Sequence, residues 1–143
     1  MSGEVSRRGP ALQYGPRADA DATHHPFSPR QLARIDEAMT LSSRESGLTF
    51  SVYVGSLEEP HRAAAESLFE ILAERTNDPV LVAVSPGQRV LHIVTGTESA
   101  TRLPNRACAL AALGMRASFS GGDLVGGIVT GLRMLADSAG AGR

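Results

Sequence analysis

The chain has 143 residues, 42% of them hydrophobic, with 14 basic side chains against 15 acidic ones and a formal net charge of -1. That length supports one domain with one core, and the balanced charge gives no electrostatic case for binding nucleic acid or an anionic membrane. Every basic residue is Arg, so Schiff-base chemistry and a Walker-A lysine are excluded; the single Cys108 excludes an intrachain disulfide or a multi-cysteine zinc site.

Residues 1–26 mix Arg, Asp, Gly, Pro and Ala without a hydrophobic period and read as a disordered tail whose charges cancel. The paired His24 and His25 within it read as solvated side chains, because a metal site needs several ligands at fixed geometry. No apolar h-region follows Met1, and the longest apolar stretch, near Leu124 to Ala136, is interrupted by Arg133 and three glycines. A soluble cytoplasmic protein without direct membrane insertion is the expectation.

The folded domain is expected over 27–139, with 140–143 as a flexible end. Ser28-Pro29 opens a helix with a capping hydroxyl and an N1 proline, Leu32, Ile35, Ala38 and Met39 form its apolar stripe, and Gly47 ends it. Leu48 to Val54 is a strand of aromatic and β-branched residues closed by Gly55. Pro60 opens a second helix with Ala64, Ala65, Leu68, Phe69 and Leu72 on one face. Val80 to Val84 is a continuous apolar run, the pattern of a strand buried on both faces. Ser85-Pro86-Gly87-Gln88 suits a type II turn, and Arg89 to Thr95 is the returning strand of a hairpin. A short helical turn near Ser99, a helix over about 104–117 and a last helix over about 123–138, capped by Asp123, complete the chain. Gly127 and Gly131, one turn apart, allow another backbone to approach. The fold class is α/β: an α/β/α sandwich with a small mixed sheet, built from a strand-helix-strand crossover plus a hairpin and followed by C-terminal helices.

The chain has no nucleophile elbow and no P-loop. Cys108, in an Ala/Leu-rich helix, reads as a buried structural thiol. His92 alternates with Leu91 and Ile93 and faces the other side of the sheet, with no carboxylate fixed beside it by local spacing. Gly121-Gly122 precedes a helix N-terminus able to hold an anion, although a tight inter-helix turn explains it as well. One constellation remains. Asp78 enters the second strand where Glu98 leaves the third, and Asp123 joins them if the last helix packs back over that end. Carboxylates so placed suit a hard cation, Ca²⁺ or Mg²⁺; the alternative is that all three are turn and cap residues. The opposite end offers Arg89, as an anion-binding residue or as a partner of Glu58 and Glu59.

The order Gly47-Leu48-Thr49-Phe50-Ser51-Val52-Tyr53-Val54, Asn77-Asp78-Pro79 followed by Val80 to Ser85, Arg89 to Gly96, Leu103-Pro104-Asn105 and Phe119 with Gly122-Asp123-Leu124 resembles the TPM domain family, named for thylakoid-lumen phosphatase, photosystem-repair and receptor-modulating proteins. It is most similar to an uncharacterised branch in high-GC bacteria, over about 27–139. The resemblance implies an α/β/α sandwich and an acidic pocket at Asp78, Glu98 and Asp123. It also implies one of three roles: a non-catalytic protein-interaction or modulatory module, a metal-dependent acid-phosphatase-like hydrolase, or a calcium-binding structural domain. Where many relatives place Gly after the Asn or Asp, this chain has Pro79, which removes a backbone donor and stiffens the loop. Of the three roles, the interaction module fits best a chain without a paired nucleophile and base.

Overall fold

A computed structural model describes residues 11–14 and 27–141. It contains a four-stranded sheet in the order β1-β2-β3-β4, where β1 is Ala11–Tyr14, β2 Thr49–Val54, β3 Pro79–Ser85 and β4 Val90–Thr95. β1, β2 and β3 are mutually parallel and β4 returns antiparallel beside β3. Among the described residues five helices accompany it: α1 (Pro29–Ser46), α2 (His61–Ala73), α3 (Thr97–Arg102), α4 (Asn105–Ser120) and α5 (Leu124–Ala139). The α/β architecture with its mixed sheet and C-terminal helices is therefore as the hydrophobic periods indicate.

One element departs from expectation. Ala11–Tyr14, read from sequence as part of a featureless tail, forms β1 and pairs in parallel with Ser51 to Val54 of β2. A four-residue segment beside Gly9, Pro10 and Gly15 has no period of its own; its hydrogen bonds come from the edge that β2 offers. The rest of 1–26, including His24 and His25, lies outside the described residues.

Local chemistry sets the helix limits. Ser28 Oγ accepts from Gln31 N while Gln31 Oε1 accepts from Ser28 N, a reciprocal capping box. Gly47, at φ 83°, ends α1 in the left-handed conformation that lacks a steric cost only for glycine.

Alternation along the strands divides the core into two layers. Phe50, Val52 and Val54 of β2, Val80, Val82 and Val84 of β3, and Leu91 and Ile93 of β4 face α1, α4 and α5. Tyr53, Leu81, Ala83 and Val94 face α2, which contributes Ala65, Phe69 and Leu72. β3 is buried from Val80 to Ser85, because helices cover both of its faces. Ile128, Leu132 and Leu135 of α5 have no exposed surface, and burying each contributes about 2–3 kcal/mol before chain entropy is counted. α4 and α5 cross at Gly127 and Gly131. A Cβ on Gly127 would lie 2.6 Å from the Phe119 ring, and one on Gly131 would lie 2.5 Å from Met115 Cγ.

The hairpin turn also differs from the expected type. Pro86–Gln88 forms a single 3-10 turn, and the left-handed residue is Arg89 at φ 59° rather than Gly87. Gln88 accounts for this. Its Oε1 accepts from Ser85 Oγ and from Leu57 N, and its Nε2 donates to Leu57 O at 3.0 Å. These bonds tie the turn to the segment after β2, and Arg89 N closes it on Pro86 O at 3.2 Å.

Candidate functional site

The two ends of the sheet carry different chemistry. At the end where β2 and β3 begin, Asp78 takes φ 48°, a left-handed conformation that Asp tolerates better than most residues, and its carbonyl accepts from Thr49 N. Val80 pairs with Thr95, so Glu98, three residues on, occupies the same rim. Ser99 closes that rim: buried, it accepts from Gly96 N at 2.8 Å and donates to Pro79 O at 3.0 Å. Arg102 then reaches the end of α5, donating to the carbonyls of Ala139, Gly140 and Ala141. These contacts satisfy the last carbonyls of α5 with a cation at the negative end of the helix.

The contact with Arg102 fixes the direction of α5 and corrects the expected position of Asp123. The C-terminus of α5 is at the Asp78 and Glu98 rim; Asp123, at its N-terminus, is displaced by the length of sixteen residues, about 24 Å. The Asp123 carboxylate instead accepts from Gly126 N at 2.9 Å and caps the helix. Asp78, Glu98 and Asp123 therefore do not form one ligand set, and among the described residues no group of three or more His, Cys, Asp or Glu side chains is placed to hold a metal ion. These residues do not fit the Ca²⁺ or Mg²⁺ pocket that the resemblance implies, because a hard cation needs several convergent oxygens.

At the other end, where β3 finishes, a cavity of about 510 Å³ opens between the hairpin turn and the α4–α5 junction. Arg89, Arg116, Phe119, Ser120 and Leu124 line it, above Val84 and Leu91 of the sheet. Arg116 Nη2 donates to Leu91 O at 3.2 Å, and among the described residues its other side-chain N–H groups have no partner. Arg89 forms no ion pair with Glu58 or Glu59; Glu59 lies 3.9 Å from His61 instead. Among the described residues no acidic side chain lines the cavity. Sequence reasoning identified Arg89 at this end but missed Arg116 and Phe119, whose approach depends on how α4 lies against β4.

β4 is the edge of the sheet, and two arginines cover it. Arg116 of α4 holds Leu91 O, and Arg62 of α2 holds Ile93 O at 3.2 Å while pairing with Glu66 at 3.0 Å. Long cations across unpaired carbonyls hinder another strand from adding there. His92 sits on the α2 side of this edge, half-buried. Burial holds its imidazole below the usual histidine range, and the nearby Arg62, His61 and Arg116 add to the effect. Cys108 is half-buried on α4, its Sγ 3.8 Å from Leu103 O, and burial pushes its thiol up. A thiol so placed is a weak nucleophile.

A family model described as "Domain of unknown function (DUF5130)" matches residues 4–136. The chain belongs to the DUF5130 family. This DUF5130 domain is 32% identical over 114 residues to uncharacterised proteins from two strains of Mycobacterium tuberculosis, CDC 1551 and H37Rv, a match covering 80% of this chain and 68% of each relative. Its fold is similar to the N-terminal domain of a protein from P. gingivalis (TM-score 0.73, 15% identity, 96% of this chain and 87% of that one). It is also similar to the BA42 protein of the psychrophilic bacterium Bizionia argentinensis (TM-score 0.71, 14% identity, 82% and 83% covered). At those identities the structural likeness concerns the fold alone. No described helix of the DUF5130 domain is long and apolar enough to cross a membrane.

Proposed function

We propose that this domain is a non-catalytic protein-interaction module and that the outward face of α4 is the surface a partner covers. The observation that carries the reading is the imbalance within α4: of its sixteen residues only Ala111 and Met115 are buried, while Leu110 and Leu113 are 55% and 65% exposed. One exposed Leu is ordinary, but two on one face of a helix whose remaining residues are mostly Ala, Ser and Gly form an apolar strip. α4 carries Arg106 and Arg116 and no acidic residue, so the fitting partner is an apolar segment flanked by carboxylates. The resemblance to TPM domains, whose members include assembly and modulatory modules, supports the same reading.

The test is capture with the full chain. A protein retained by wild type and by an Asp78→Ala/Glu98→Ala variant, but lost with Leu110→Asp/Leu113→Asp, is the expected result. Both leucines are exposed, so the charged variant keeps its melting temperature. Retention by the leucine variant overturns the proposal, as does turnover of p-nitrophenyl phosphate that Asp78→Asn removes.

A further inference from the structure

The cavity at the end of β3 has features that the α4 strip does not use. Its volume, about 510 Å³, lies within the range of small-molecule sites. It opens where a parallel strand ends at its carboxyl terminus, the usual ligand position in open α/β sheets. Two guanidinium groups from distant parts of the chain, Arg89 after the 3-10 turn and Arg116 in the last turn but one of α4, converge on it without a carboxylate partner among the described residues. In a chain of net charge -1 this pairing of cations is local, not a consequence of overall basicity. Among the described residues the Arg89 side chain makes no hydrogen bond, and its backbone N–H is held on Pro86 O by the turn. The walls beside the arginines are apolar, with Phe119 and Leu124 supplying ring and branched-chain surface. The N-terminus of α5 does not serve as the anion site, because Asp123 already caps it.

We infer that this cavity binds a small organic anion, a phosphate or carboxylate on an apolar body, with Arg89 and Arg116 holding the anionic group and Phe119 and Leu124 packing against the body. Guanidinium forks match either anion with two parallel N–H donors, and an apolar body gains from leaving water. The assignment is independent of the partner proposed for α4.

Phenyl phosphate and benzoate, with benzyl alcohol as the neutral comparison, are the probes, and the readout is amide NMR of the full chain. Saturable shifts confined to residues 84–91 and 116–124 are expected for at least one of the two anions, with little response to benzyl alcohol. Affinity falls about tenfold or more in Arg89→Gln, which removes no side-chain hydrogen bond or ion pair among the described residues and melts as wild type, and in Arg116→Gln, which also gives up the bond to Leu91 O; a factor of ten is about 1.4 kcal/mol. Equal shifts with benzyl alcohol, shifts that never saturate or scatter over the surface, or unchanged affinity in Arg89→Gln overturns the inference.

Discussion

The two rims of the sheet are made from the same strands and differ in what their polar groups do. At the rim of Asp78 and Glu98, Ser99, Arg102 and the Asp78 carbonyl are bonded inward, to Pro79, to the end of α5 and to Thr49. At the other rim, among the described residues, the Arg116 side chain commits one N–H and the Arg89 side chain none. A cluster of carboxylates is thus a poor guide to a site when the groups around it are consumed in closing the fold. Uncompensated cations beside a cavity are a better one, because neutralising them requires a ligand from outside.

The comparison can be broken or sharpened by substitution. The largest effect is expected at Gly127, in the helix that spans both rims. Gly127→Val drives a branched side chain into Phe119 and Ser118, and denaturant unfolding should show a loss of about 2–3 kcal/mol. Ser99→Ala leaves Gly96 N and Pro79 O without their partner at the closed rim; about 1–3 kcal/mol is expected. Arg102→Ala exposes the end of α5 and costs about 1–2 kcal/mol by the same measurement. At the open rim Arg89→Gln should change stability by less than about 0.5 kcal/mol. A cost as large as that of Ser99→Ala would show that both rims are structural and erase the contrast.

A smaller effect concerns pH. The folded-state pKa of His92 lies below its unfolded value near 6.5, so the unfolded chain takes up the proton first as pH falls. His92 therefore contributes stability that is full above about pH 6.5 and is lost progressively as pH drops through the folded-state pKa. In urea unfolding between pH 7.5 and 5, the stability of wild type minus that of His92→Gln should fall as pH falls; a constant difference would remove the assignment. The slightest effect is at Cys108, whose raised pKa predicts alkylation by iodoacetamide at pH 7.5 more slowly than for a free cysteine peptide.

Much of this architecture is legible in the sequence because its signals are local. Ser28-Pro29, Gly47 and Asp123 mark helix ends by capping chemistry, and the apolar run of β3 reports burial on both faces without reference to any other segment. The misplacement of Asp123 has a long-range cause: the direction of α5 over the sheet is set by Gly127 and Gly131 meeting Phe119 and Met115, and by Arg102 reaching 37 residues along the chain to Ala139. β1 was hidden because its partner lies 40 positions away, Ala11 opposite Ser51. Gln88 is a third case. Its bonds to Leu57 span 31 residues and move the left-handed conformation from Gly87 to Arg89. The cavity shares that origin, since no local pattern announces that Arg116 will stand beside Arg89.

The claim that ligand chemistry belongs to the Arg89 rim, with the Asp78 rim closed, is tested most directly by one amide NMR map of the full chain, titrated in parallel with phenyl phosphate and with Ca²⁺. The account predicts saturable phosphate-dependent shifts at 84–91 and 116–124 and no saturable response to Ca²⁺ at 77–79 and 96–99. Saturable Ca²⁺ shifts at Asp78 and Glu98, with the arginine rim unmoved by the phosphate, would contradict it.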